Sequence, residues 1–516
     1  MTARGAAGLA CVCLMVAGAA SAQETRAVRP RTLTEDLQLF SQVMNQIRVN
    51  HPDSVDMHAL LISAIEGMVH AADPHSFVIP AVRLDSARRA AWIDGRLQPV
   101  LIDFGFIQGA PLVVSVVPGS KAARLDVQSG DELTSIDGHA VTATSADELA
   151  YTLAGPKGTP VSLGFDRRRA DGSVVALTRV VPRERADELP AVPLGVMLDA
   201  QTGYVRVTTF VSGKVADELN AQIERLEGQG MNRLVLDLRN NGGGRIDQAA
   251  AVAGAFLPRG AVVYTTAGRK ADLVDTGRVT RALWRTERKY PIVVLVNSGT
   301  ASASELVAGA LQDHDRAVVA GHTTFGKALV MQTVPLSDGS VMAVVVGRVS
   351  TPCGRVVQRE YRGITQRQYL RTAGAAADTV GKPTCTTKGG RRLFGGGGIV
   401  PDVILPVVTT PVWLSRLSET DAMLTWSSGY ASAHAADLDS LDAFAARQLP
   451  DVAVADFRTF AQSRGITVPR TDDDDRRLEA AIREAIAYVR WNERGRFRVL
   501  TVTDPEIGAA LKSFSR

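Results

Sequence analysis

Three segments of the chain hold residue types whose spacing could support nucleophilic chemistry. An apolar run, Ile292–Val296, leads through Asn297-Ser298-Gly299-Thr300-Ala301 into Ser302-Ala303-Ser304-Glu305, where a helical pattern begins. A serine at such a junction faces helix N–H groups that lack intrahelical partners, and those donors, the Ala303 N–H among them, stabilise developing negative charge. Helix capping is the ordinary role of a serine there, and Ser304 before Glu305 fits it. A second segment, Asp237-Leu238-Arg239-Asn240-Asn241-Gly242-Gly243-Gly244, follows an apolar strand. Its glycines permit a sharp turn and leave N–H groups to donate, which makes Gly243 the companion of Ala303 in a candidate oxyanion hole; a plain strand-to-helix turn is the alternative. The Gly-Lys-Ser/Thr ending of a phosphate loop is absent. The third segment, Gly321-His322-Thr323-Thr324-Phe325-Gly326-Lys327, reads as a turn between two strands. A lysine in a turn is usually solvated, but one held against apolar neighbours such as Phe325 and Leu329 can serve as general base toward a serine hydroxyl. Other schemes fit less well, since there is neither a Gly-x-Ser-x-Gly elbow nor a His-Glu-x-x-His signature, and His314 and His322 are the nearest members for a conventional triad.

Such residues need a scaffold, and the surrounding pattern supplies one. A strand over 203–210, an amphipathic helix over 214–227 and a strand over 233–238 alternate in the manner of a layered α/β core, and this pattern runs to about residue 406. Upstream, residues 95–182 break into short strand-like runs at 111–117, 132–136, 161–165 and 174–181, separated by Gly and Asp, as in a compact β-rich module. Apolar residues at helical spacing occupy 34–68, and 412–516 reads as helices with polar faces, one of them spanning 476–491. Asp472 to Asp475 stand at that helix start, where they cap it and complement its dipole rather than bind a metal.

Taken together the segments resemble the C-terminal processing peptidases, a Ser-Lys family on a crotonase-like α/β core with a PDZ domain. The shared pattern includes Asp73-Pro74-His75-Ser76, the turns Ser129-Gly130-Asp131-Glu132 and Ile136-Asp137-Gly138, and Gly203-Tyr204-Val205-Arg206. It closes with Thr351-Pro352-Cys353-Gly354-Arg355 and Gly397-Gly398-Ile399-Val400-Pro401-Asp402, so it spans about 34–406. The resemblance implies that Ser302 is the nucleophile, that Lys327 is the base, and that the substrates are proteins or peptides with exposed C-terminal tails read by the PDZ-like module. It implies no cofactor. Family members carry a glutamine four residues after the lysine, which orients it; here that position is Met331, and Gln332 follows. Successive side chains on a strand face opposite ways, so Gln332 substitutes as the orienting residue only if a bulge shifts the register. A catalytically weak or silent PDZ-bearing adaptor that keeps the fold is the alternative reading.

The expected organisation is a signal peptide at 1–22, a helical region at 23–94, the PDZ-like domain at 95–182, the peptidase core at 183–409 and a C-terminal helical region at 410–516. The leader follows from Arg4, a short apolar run over 6–19 and the small residues Ala20-Ser21-Ala22, and it points to export to the periplasm. No apolar run reaches the ~20 residues of a bilayer span. A net charge of +4 over 516 residues is too small and dispersed to argue for nucleic acid. The C-terminal helices are left for self-association or an adaptor. Of four cysteines, Cys353 and Cys385 remain after the leader, either as one bridge or as two free thiols.

Overall fold

The computed structural model describes residues 31–515 except 74, 84–95, 108–109, 118, 129, 144–145, 169–172, 281–286, 362–383, 419, 421 and 439. The expected leader lies outside the described residues. The chain divides into two compact units, residues 1–64 and 65–516. In the first, α1 (Leu33–Asn50) opens on a capping box. Thr32 Oγ1 accepts the Glu35 N–H and the Glu35 carboxylate accepts the Thr32 N–H, which satisfies two donors left over at a helix start. Then α2 (Met57–Ala72) leads into the second unit.

After α2 comes Asp73, whose Oδ1 accepts the N–H groups of His75 and Ser76 at 2.8 and 2.6 Å. This turn places β1 (Phe77–Ile79). The next module is antiparallel, with β2 (Ile102–Ile107), β3 (Ala110–Val116), β4 (Glu132–Ile136), β5 (His139–Ala140), β6 (Pro160–Arg168) and β7 (Val174–Pro182). Its sheet order is β2-β3-β4-β6-β7, with β5 on β4. The short helix α3 (Lys121–Arg124) and α4 (Ala146–Leu153) close it over Val113, Leu133, Leu149, Leu163 and Phe165. The β4–β5 turn needs a positive φ at both central residues, which Asp137 and Gly138 supply at +49° and +80°. Buried Arg167 is neutralised by Asp126 and Asp131, both at 2.7 Å.

The central sheet is built from β8 (Leu194–Met197), β9 (Thr202–Arg206), β10 (Arg233–Asp237), β13 (Ile292–Val296), β14 (Val318–Gly321) and β19 (Val403–Ile404), ordered β19-β14-β13-β10-β9-β8. All are parallel except β8. The apolar runs of β10 and β13 are those of strands covered on both faces. Leu234, Leu236, Val294 and Val296 pack toward α5 (Val215–Glu227), α6 (Ile246–Ala253) and α7 (Ala303–Asp313). The alternate residues Tyr204, Val235, Val293 and Leu295 pack on the other side with Phe497, Ile507 and Ala510.

Those last three come from the C-terminal region, which comprises α8 (Val412–Ser418), α9 (Ala422–Ala433), α10 (Leu441–Ala446), α11 (Asp451–Ser463), α12 (Asp472–Thr503) and α13 (Pro505–Leu511). The last part of this region therefore completes the core of the central sheet. Only the end of α12 and α13 cover the sheet, whereas α8 to α11 and the first part of α12 pack on one another around Leu417, Phe444, Phe457 and Ile482. The helix expected over 476–491 continues to Thr503 across a break at Trp491 and Asn492, the latter at φ +56°. At its start Thr471 Oγ1 accepts the Asp474 N–H, Asp474 accepts the Trp413 indole N–H at 2.7 Å, and Asp473 takes Arg477 at 2.6 Å.

A second, antiparallel sheet runs β1-β16-β11-β12, from β11 (Val262–Gly268), β12 (Asp275–Arg278) and β16 (Val341–Ser350), with β15 (Leu329–Pro335) along the other edge of β16. Beyond β16, Cys353 is bonded to Cys385 of β17 (Thr384–Thr386), which pairs with β18 (Arg392–Phe394). The bridge closes a sequence separation of 32 residues. Replacing either cysteine with serine should lower the unfolding free energy by about 4 kcal/mol, from the loop entropy regained by the unfolded chain. Urea unfolding of the variant against the oxidised parent measures it, and an unchanged midpoint would contradict it.

Candidate functional site

The carboxyl ends of parallel strands are where open α/β sheets place their sites. Here β10, β13 and β14 lie side by side, and the three segments singled out in the sequence leave from their carboxyl ends. The loops are laced together by backbone and amide groups. Asn240 N–H donates to Asn297 Oδ1 at 2.9 Å, and Asn297 Nδ2 donates back to Asn240 Oδ1 at 2.8 Å. The main-chain carbonyl of buried Asn241 accepts both the Ala301 N–H at 3.0 Å and the Ser304 hydroxyl at 2.9 Å. The Phe325 N–H donates to Thr300 O at 2.9 Å.

Ser302 immediately precedes α7 at φ +56°, ψ −119°, a conformation that costs a residue with a Cβ about 1–3 kcal/mol and is held only by its surroundings. It is half-buried, whereas Ser304 is fully buried and bonded to Asn241 O. Burial and that bond leave Ser304 a structural tie and separate the two serines of the Ser-Ala-Ser run.

Glu305 fixes both chains of the candidate centre. Its fully buried carboxylate accepts four donors, with Thr324 Oγ1 (2.5 Å) and Gly326 N–H (2.7 Å) on Oε1, and Ser302 N–H (2.8 Å) and Lys327 N–H (2.9 Å) on Oε2. Burial pushes the acid up to about 7, against the opposing pull of those hydrogen bonds. In the sequence Glu305 stood out only as the residue after a capping serine, Ser304. Its partners from the lysine segment are 19 to 22 residues away and mostly backbone, so they carry no residue-type signal.

Gly243, at φ +96°, lies flat against the serine turn. A Cβ there would sit 2.7 Å from Ala301 O, 2.8 Å from Ala303 N and 2.9 Å from Ser302 Cβ, so no other residue fits. Its N–H, however, donates to Asn241 Oδ1 at 3.0 Å and is not turned toward the serine. Ala303, the first residue of α7, is where a helix leaves its N–H unmatched.

The Lys327 side chain is exposed and not sheltered among apolar neighbours. Phe325 turns inward beneath the Arg359 guanidinium, 4.8 Å from the ring centre, and so does not cover the amine. A register shift, the condition for Gln332 to substitute, is present between Val330 and Met331, but the unpaired residue is Val346 of β16. Met331 and Gln332 are both exposed, and among the described residues no hydrogen bond joins Gln332 to Lys327. His314 Nε2 lies 2.7 Å from Val262 O and His322 Nε2 3.0 Å from Glu506 Oε1. A neighbour the spacing did not suggest is His75. Burial, and next the Lys327 charge, lower it to about 4, which leaves a neutral imidazole beside the lysine at neutral pH.

Beneath the loops lies an ionic cluster. Asp237, fully buried, accepts Tyr204 OH at 2.7 Å, Arg239 at 2.7 Å and Arg206 at 3.0 Å. Burial would raise its acid, but the two guanidiniums outweigh burial and hold it well below the usual carboxylate range.

Comparison with known proteins bears on the same region. The profile of peptidase family S41 matches residues 201–368, and that of the PDZ domain matches 112–167. The chain is 31% identical over 329 residues to a carboxy-terminal-processing protease of Bartonella bacilliformis, covering 63% of this chain and 73% of that one. It is 37% identical over 247 residues to the chloroplastic carboxyl-terminal-processing peptidase 2 of Arabidopsis thaliana, covering 47% of this chain and only 46% of that one. Among solved structures, a photosystem II D1 C-terminal processing protease superposes with a TM-score of 0.51 at 26% identity, covering 74% of this chain and 91% of that one.

Proposed function

The chain belongs to the C-terminal processing peptidases, serine endopeptidases of family S41, and we propose that it cleaves exported proteins near an exposed C-terminal tail with Ser302 as nucleophile and Lys327 as base. The observation that carries the assignment is the Glu305 carboxylate bonded to the main chains of both residues. In acylation the Lys327 amine takes the hydroxyl proton as Ser302 Oγ attacks the scissile carbonyl carbon. The Ala303 N–H receives the oxyanion, and Gly243 joins it once its N–H swings from Asn241. The lysine then hands its proton to the leaving amine. In deacylation it draws a proton from the water that attacks the ester and returns that proton to Ser302 Oγ as the acid leaves. A peptide laid over the exposed Lys327 side chain excludes water from the amine as it takes the proton. Substrate binding thus supplies the shelter that the free protein lacks. The leader supports a periplasmic location, and the PDZ domain is the candidate reader of the tail.

A fluorophosphonate probe and a pair of unfolded substrates that differ only in a free or amidated C-terminus test this reading. The expected result is labelling at Ser302 and cleavage at least about tenfold faster for the free carboxylate. Equal cleavage of the pair would remove tail recognition. Failure to label would remove the dyad and leave the silent adaptor.

A further inference from the structure

The C-terminal helix α13 reaches beneath the site, and one of its side chains joins two of the loops described above. Glu506 Oε2 accepts Arg239 Nη1 at 2.6 Å, and Glu506 Oε1 lies 3.0 Å from His322 Nε2. Arg239 belongs to the glycine segment after β10, and its carbonyl also accepts Arg206 Nη2. His322 opens the turn that carries Thr324 and Lys327 after β14, and its N–H donates to Val296 O. Strand β13, which leads to Ser302, runs between them. Glu506 therefore spans the loops on either side of the serine strand from below, while Glu305 ties the serine to the lysine turn from within the core. Asp504, at the start of α13, adds a second carboxylate to Arg239 at 2.8 Å and caps the helix through the Glu506 N–H. The Glu506 side chain is 14% exposed, and its two partners 8% and 22%, so this is a partly desolvated bridge in which a charged hydrogen bond has directional strength.

We propose that Glu506 is a positioning residue for the Ser302–Lys327 centre, holding the Arg239 and His322 loops at the separation at which the amine meets the hydroxyl. The proposal rests on the dyad assignment above. It gives the C-terminal region a part in the chemistry without touching substrate, because small displacements of reacting groups reduce rate steeply. Positioning of this kind should lower kcat and leave KM in place, since Glu506 lies away from the tail reader.

The test uses the full-length protein with Glu506→Gln, His322→Ala, the double variant and Glu506→Asp, each assayed for kcat and KM and for the rate of Ser302 labelling by a fluorophosphonate. Each single variant should lose about tenfold in kcat and in labelling rate, with KM within about twofold of wild type. The double variant should be no worse than the slower single one, because both remove the same bridge. Aspartate, which keeps the charge on a shorter arm, should recover part of the loss. Glu506→Gln could fail to fold; the half-exposed His322 then carries the test alone, with thermal unfolding showing that it is intact. Wild-type labelling in His322→Ala, or losses that multiply in the double variant, would overturn the bridge. A wild-type protein that does not label at all would instead overturn the dyad.

Discussion

Ser302→Ala and Lys327→Ala should each lower kcat by about 10³-fold or more on an unfolded substrate with a free tail, and the double variant should be no slower than either. The two side chains act on one proton, so removing one leaves the other without a function. Ser302 is only half-buried and Lys327 is exposed, so neither truncation opens a cavity and both variants should unfold at the wild-type temperature. This separates loss of chemistry from loss of fold. Peptide-bond cleavage at the wild-type rate in either variant would sink the assignment.

Glu305→Gln should cost about 10²-fold or more in the labelling of Ser302, through geometry alone. All four groups around the carboxylate donate to it, and two of them converge on each oxygen. An amide offers one acceptor oxygen and turns its NH2 against two donors, so either the serine and lysine main chains or the Gly326 turn must move. The same residue has a signature in stability. Its folded-state value of about 7 lies above the unfolded value of about 4.3, so the native protein holds the extra proton between these limits. A raised acid favours the fold at low pH and loses that contribution as pH rises through the window. The stability of wild type relative to Glu305→Gln should therefore fall by about 3 kcal/mol from pH 4 to pH 8. Urea unfolding of both proteins across that range measures it, and a difference that is flat or grows with pH would count against a buried acid of this kind.

The segments of the proposed centre were legible in the sequence because backbone geometry restricts residue types. Glycines must stand where Gly243 meets the serine turn, and a small polar run must join β13 to α7. The parallel strands were legible for a similar reason, since burial on both faces leaves unbroken apolar runs. What escaped were relations between distant or backbone groups. The partners of Glu305 are mostly N–H groups, and the His322 to Glu506 contact crosses 184 residues. The exposure of Lys327 was misread because an aromatic neighbour in sequence, Phe325, turns inward under Arg359. The long helix α12 was cut short because nothing in Trp491-Asn492 announces that a helix resumes beyond a single residue at positive φ.

The pairing of β1 with β16 bears on when the protein comes into being. The Val345 N–H donates to Ser76 Oγ across 269 residues of sequence, and β15 and β11 attach to that same strand. A chain emerging residue by residue holds its first strand without a partner until β16 arrives, and the cost of closing so long a loop makes such contacts slow to form. The PDZ module, whose strands are near one another in sequence, can mature in the interval. Lys327 stands just ahead of β15, and β15 finds its partner only when β16 arrives. On the function proposed above, a nascent chain would then bind tails before it cuts them.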